Sequence, residues 1–281
     1  MPVQAETSEP LLIPLKLIME GCATQEEMNR NVAASIERGY ERFNEHLGKH
    51  SGEVSIVGAG PSIRETYREL RGDVLAINSA IGFLLDNGVV PRFAMLWDAH
   101  ELVASFAVPH PDIIYFVAAR CHPKVFERLK GCRIVCWHAG GDHNIAAYLA
   151  ENKIEEPMVN GGSAGVTRAM FLSVALGYRS LHIYGADSAY NERGETHVNG
   201  SVVPEKAFAI WVGKDEGRRR FIATPEWCAQ VEEYRTIYSM FAKVGISMNV
   251  YGEGMLPHLH GILKAQQEAG ILEQSMQGLN G

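Results

Sequence analysis

The chain has 281 residues, is 46% hydrophobic and 21% charged, and carries a formal net charge of −7. That balance excludes a disordered or coiled-coil chain and argues against a general grip on nucleic acid, leaving room for a local basic pocket. Five cysteines without a CxxC pair are no disulfide framework.

The first ten residues are polar, with no basic-then-apolar leader pattern, and Leu11 to Met19 is too short to span a bilayer. The expectation is a cytoplasmic protein with neither membrane nor nucleic-acid partner; a homo-oligomer is compatible with the sequence. Thr24 and Glu27 form a T-x-x-E capping box, and apolar residues recur at helical spacing from Glu26 to Leu47, predicting an N-terminal helical extension over 1–50.

From Val54 short apolar runs take over, at 54–57, 74–77, 92–97, 113–118, 133–137 and 181–184, separated by helix-like stretches. Strands apolar on both faces and alternating with helices predict an α/β fold, Rossmann-like, with a mostly parallel sheet covered on both faces. Helices are expected over 162–176 and 226–243, a last strand over 246–250, and a long functional loop over 190–224. The main domain is placed at 51–255 and a helical tail at 256–281. In such sheets ligands bind outside the C-terminal strand ends, so the residues after each run are the site candidates.

The first run ends in Gly58-Ala59-Gly60-Pro61-Ser62, a turn whose amides could cradle an anion at a helix start, or simply a tight connection. Ile63 stands where a dinucleotide fingerprint has glycine, the second run ends in Asn78, and no GxxxxGK[ST] string occurs; NAD and P-loop readings are weak. Asn78, followed by Ser79, could read a base or ribose, or cap a helix. Asp98 follows the third run and could hold magnesium on a phosphate. Asn160-Gly161-Gly162-Ser163 is a second glycine turn, fit for an anion or for close packing. Asp187 and His197 supply a carboxylate and an imidazole suited to metal binding and proton transfer. Cys132, Cys136, His138 and His143 match no standard zinc spacing. The run Arg218-Arg219-Arg220 is a phosphate clamp or a solvated stretch, and His258 and His260 cap or contact substrate.

Taken together, VGAGPS at 57–62, AINSA at 76–80, the P-x-F-x-x-x-x-D stretch from Pro91 to Asp98, the segment 161–187 and G-x-T-H-x-x-G from Gly194 resemble the MptE-like family. That family is named for the archaeal-type 6-hydroxymethylpterin diphosphokinase, and is similar to motility accessory factors and, more remotely, bacterial sialyltransferases. The resemblance covers about half the chain, residues 54–200. It implies a Rossmann-like sheet and a magnesium-dependent transferase moving a diphosphate from ATP to a hydroxyl acceptor. By the same resemblance Gly58, Gly60 and Ser62 would meet phosphate or ribose, and Asn78 and Ser79 would line the nucleotide. Asp98 and Asp187 would bind metal or act in catalysis, and His197 would close the site. From the residues, Gly162 and Ser163 are carried as a second cradle. The alternatives are a glycosyltransferase using a nucleotide-sugar and a non-catalytic nucleotide-binding module.

Overall fold

A computed structural model describes residues 23–141, 143–198 and 206–270, without the side chains of residues 143 and 144. The helices are α1 (Gln25–Glu37), α2 (Ile63–Thr66), α3 (Ala80–Asp86), α4 (Pro123–Arg128), α5 (His143–Glu151), α6 (Gly165–Leu176), α7 (Pro225–Lys243) and α8 (Met255–Glu268). The strands are β1 (Glu41–Arg42), β2 (Glu53–Val57), β3 (Asp73–Ile77), β4 (Phe93–Leu96), β5 (Ile114–Ala118), β6 (Arg133–Ala139), β7 (Met158–Val159), β8 (Ser180–Tyr184), β9 (Phe208–Val212), β10 (Arg219–Ala223) and β11 (Ser247–Val250).

The main sheet runs β1-β6-β5-β4-β3-β2-β8-β11, with β7 beside β6, and its pairings are parallel. Each apolar run became a strand because both its faces are covered: all four residues of β4 are buried, as are the last four of β2 and β5. Phe43, Phe93 and Phe116 pack ring to ring in the core. From β2 the chain steps outward through β3 to β6, then returns to place β8 on the other side of β2. The strand-order switch therefore falls between β2 and β8.

Two elements differ from expectation. The N-terminal helix begins in the predicted capping box, Glu27 N–H donating to Thr24 Oγ1 at 3.2 Å, but it stops at Glu37. Gly39 then takes a left-handed φ of 65°, and Glu41–Arg42 joins the sheet edge beside β6. The expected long loop contains an antiparallel hairpin, β9–β10, which among the described residues forms a two-stranded sheet of its own. The residues at 1–10, and the tail beyond residue 270, lie outside the described residues. Among the described residues no helix is long and apolar enough to cross a membrane.

Candidate functional site

At the switch point the first glycine turn meets the turn after β8. Gly58 N–H donates to the Tyr184 carbonyl and Gly60 N–H to the Gly185 carbonyl, each at 2.8 Å. These bonds carry the β2–β8 ladder past the strand ends, and only glycine permits the approach. A Cβ on Gly58 would lie 2.5 Å from the Gly185 oxygen, and one on Gly185 would lie 2.3 Å from the Gly58 oxygen. Gly58 and Gly60 thus have protein acceptors where the sequence led us to expect ligand.

Ser62 is engaged in the same way. Its N–H donates to Asp187 Oδ2 at 2.8 Å and its hydroxyl to Asp187 Oδ1. The anion at this turn is the chain's own carboxylate, delivered from β8. Helix α2 has only four residues, so little dipole stands behind the turn. Asp187 is 5% exposed, and burial pushes its carboxyl up to about 6 against the pull of the two Ser62 bonds; the charges of Glu65 and Glu253 add to the rise. Its backbone carbonyl accepts from Met255 N–H at 2.8 Å, tying α8 to the same corner.

The loop carrying His197 lies on this corner. Val198 N–H donates to the Ala59 carbonyl at 2.8 Å, and Arg64 holds Glu195 at 2.6 and 3.2 Å and the Val198 carbonyl at 2.8 Å. The His197 side chain is near Thr196 Oγ1, at 3.0 Å from Nδ1. Desolvation lowers the His197 pKa, so the neutral base form prevails near neutral pH. Asn199 and Gly200 of the motif lie outside the described residues.

The second glycine turn is also filled internally. Glu233 of α7 accepts from Ser163 N–H (2.9 and 3.0 Å), from Ser163 Oγ (2.9 Å) and from Thr167 Oγ1 (2.9 Å). Gly162 is a packing position: its φ is 80°, and an added Cβ would meet Arg168 N at 2.4 Å.

The half-buried part of the edge lies over β3, β4 and β5. Asn78 follows β3 in a left-handed conformation, φ 48°, with its N–H on the Met95 carbonyl at 3.2 Å. Its Oδ1 is buried and without a partner. Ser79 beside it makes no side-chain cap. Trp97 and Asp98 follow β4, and His100 N–H reaches Asp98 Oδ1 at 3.4 Å. The guanidinium carbons of Arg120, after β5, and Arg168, in α6, stand 4.9 and 5.3 Å from the Trp97 ring. Neither arginine stands out in the sequence as a site residue. The available signal was Arg168 itself, a cation inside the otherwise apolar stretch VTRAMFLSVAL.

Asp98 and Asp187 do not meet. Their strands are separated by β3 and β2, about 14 Å at ordinary strand spacing, and both oxygens of Asp187 face Ser62. Among the described residues no three His, Cys, Asp or Glu side chains gather as a metal site. A magnesium ion shared by these two aspartates does not fit this geometry, and Asp98 remains the one carboxylate of the pair at the half-buried edge. Cys132 and Cys136 are free thiols, and burial pushes Cys136 up to about 11; the His143 side chain lies outside the described residues. Arg218–Arg220 is exposed on the hairpin, where Arg218 stacks on Trp211 and Arg219 pairs with Glu253. His258 reaches the Val212 carbonyl at 3.2 Å, and His260 is buried against Tyr234 Oη at 2.8 Å.

The family model described as "6-hydroxymethylpterin diphosphokinase MptE-like" matches residues 27–193, more than half of the chain. No curated protein matches the chain in sequence. Among solved structures, the MAf glycosyltransferase of Magnetospirillum magneticum AMB-1 is similar over 84% of this chain and 38% of its own, at 16% identity and a TM-score of 0.59. A mammalian sialyltransferase follows at 12% identity and 0.41, covering 82% of this chain and 79% of that one. The Campylobacter jejuni sialyltransferase CstII, in complex with the substrate analogue cytidine-5'-monophosphate, stands at 14% and 0.31, covering 74% and 86%. The first of these bears on the backbone fold, and this chain spans well under half of its length.

Proposed function

The chain belongs to the 6-hydroxymethylpterin diphosphokinase MptE-like family, and from that premise we propose a transferase that binds a nucleotide over the C-terminal ends of β3 to β5. One observation carries the reading. Asn78 holds a left-handed backbone and a buried Oδ1 with no partner, at the sheet edge where ligands of this fold class bind. An orphaned buried acceptor is costly unless a ligand donor completes it, and a base amino group or ribose hydroxyl is such a donor.

In the diphosphate reading, a hydroxyl oxygen attacks the β-phosphorus of ATP, the bond from that phosphorus to the α–β bridging oxygen breaks, and AMP leaves. In the glycosyl reading the hydroxyl attacks the anomeric carbon of a nucleotide-sugar, and the nucleotide leaves by its phosphate oxygen. Both need orientation and neutralisation of phosphate charge more than covalent work by the protein. A neutral His197 is the candidate to take the hydroxyl proton. The second reading is favoured by one feature: fixed cations, Arg120 and Arg168, rather than a pair of aspartates stand at the half-buried edge.

A melting-temperature screen with ATP, CMP, CDP and UDP, each with and without magnesium, tests the proposal. At least one nucleotide should raise the melting temperature, and Asn78→Gly, which keeps the left-handed backbone and removes the amide, should abolish that rise while melting close to wild type alone. Stabilisation by ATP only with magnesium selects diphosphate transfer; stabilisation by CMP, CDP or UDP without it selects glycosyl transfer. If no nucleotide shifts the wild type, the proposal fails.

A further inference from the structure

The sheet edge was expected to bind anions through its glycine turns, yet both turns hold carboxylates of the chain itself. Asp187 takes the Ser62 donors and Glu233 takes those of Ser163 and Thr167. Oxyanion affinity at this edge has to come from other donors, and two arginines converge there from distant parts of the sequence.

We infer that Arg120 and Arg168, gathered on the Trp97 ring, form an oxyanion subsite that takes a phosphoryl group of the bound ligand. Arg168 is 6% exposed, with its Nη1 donating to the Gly140 and Val159 carbonyls at 3.1 and 2.8 Å. Those bonds fix the guanidinium plane while leaving its Nε buried and without a partner. The Nε of Arg120 is orphaned in the same way, and its backbone carbonyl is held by Asn31 Nδ2 at 3.0 Å. One guanidinium fixed by two carbonyls and a second lying against the same Trp97 ring, each with an unpartnered Nε, are an arrangement that an oxyanion completes.

Electrostatics agrees with the geometry. Burial, and then the charge of Arg120, lower the Arg168 pKa to about 10, against an opposing pull from Glu233. Two like charges held this way repel, and a bound anion relieves both the repulsion and the desolvation. Trp97 offers both cations its aromatic ring, an attraction that offsets part of their repulsion.

The subsite is continuous with Asn78. A Cβ on Gly165 would lie 3.3 Å from Ile77 Cγ2 and 3.5 Å from Trp97 Nε1, so the start of α6 touches the ends of β3 and β4 together. Asn78 follows β3 and Arg120 follows β5, two strand spacings or about 10 Å apart. That span suits a nucleotide with its nucleoside at Asn78 and its phosphates towards the arginines. The transferase reading supplies only this identity of the ligand; the oxyanion chemistry stands on the arginines alone.

Calorimetric titration of the full chain with inorganic pyrophosphate, and with a nucleotide and its parent nucleoside, tests the subsite. Arg120→Gln should weaken pyrophosphate and nucleotide binding tenfold or more, leave the nucleoside within twofold of wild type, and reduce the dependence on salt. Arg168→Lys keeps a charge but loses the fork, and should weaken pyrophosphate about as much. Arg168 also supports the Gly140 and Val159 carbonyls, so Arg120→Gln decides the question if Arg168→Lys folds poorly. Nucleotide binding undiminished in Arg120→Gln overturns the subsite and leaves the transferase reading intact. Pyrophosphate binding that is lost in Arg120→Gln, from a wild type that binds no nucleotide, upholds the subsite and removes that reading. A wild type that binds neither pyrophosphate nor nucleotide overturns the subsite too.

Discussion

The two glycine turns look alike in sequence and are filled alike, each by one carboxylate from far along the chain, yet they are built differently. At the first turn Asp187 is buried between Ser62 and the backbone of Gly254, and the turn is bolted to the end of β8 by two backbone hydrogen bonds. At the second, the half-buried Glu233 of α7 reaches an exposed Ser163, and the residue also borders a cavity of about 490 Å³ walled by Phe208, Pro225 and Cys228. The first carboxylate is a structural clamp. The second is a latch that solvent can reach, and competing anions with it.

The difference can be broken first at the backbone. Gly185→Ala forces a Cβ to within 2.3 Å of the Gly58 carbonyl oxygen and holds alanine at φ 59°. Neither group is a flexible side chain, so the expected loss is about 4 kcal/mol or more, read as a fall in melting temperature of about 10 °C or more. Gly88→Ala shares the positive φ, 76°, but meets open space, and should lose only about 1 kcal/mol. Equal losses in the two variants would show that the β2–β8 turns are not locked together.

The next effect is carried by pH. The Asp187 carboxyl sits at about 6 in the folded chain against 3.8 for the free side chain. Between those values the folded protein keeps a proton that the unfolded chain has shed. The stability drawn from that proton is complete below pH 4 and disappears as the pH climbs through 6, up to about 3 kcal/mol by pH 7. Asp187→Asn keeps the shape and an acceptor for Ser62 N–H but cannot titrate. Urea unfolding at pH 4 and pH 7 should show the variant gaining on wild type by an amount of that order. No change in the difference between the two chains would mean that Asp187 is ionised in the fold throughout.

Local chemistry was legible in the sequence wherever one segment settled its own structure. The runs at 54–57, 74–77 and 181–184 had to be covered strands, since no amphipathic face was left for solvent, and Thr24 with Glu27 marked a helix start that the fold uses. The hairpin at 208–223 is not legible in the sequence because exposed Phe208 and Trp211 and the arginines of β10 hide the period-two pattern. The site was harder to read for a different reason. Glycine turns announce a close approach but not the approaching atom, and Asp187 and Glu233 come from 125 and 70 residues away. Arg120 and Arg168 share no motif, and only the crossover from β5 through to α6 brings them to one ring.

The smallest expected effect separates latch from clamp most cleanly. Glu233→Gln keeps an oxygen for Ser163 and Thr167 but removes the charge at the start of α6. The site is half-exposed and the donors can turn to water, so unfolding free energy should change by less than about 1 kcal/mol. Charge should matter more than stability, because Glu233 is a carboxylate whose field acts on Arg168. With that field gone, pyrophosphate should bind about two- to fivefold more tightly, and the gain should fade as salt is raised. Asp187→Asn in the same titration should leave pyrophosphate affinity near wild type, since Asp187 belongs to the β8 corner, three strands from β4. A Glu233→Gln chain that loses several kcal/mol, or binds pyrophosphate no better than wild type, would make Glu233 a second clamp, with both turns serving the fold in the same way.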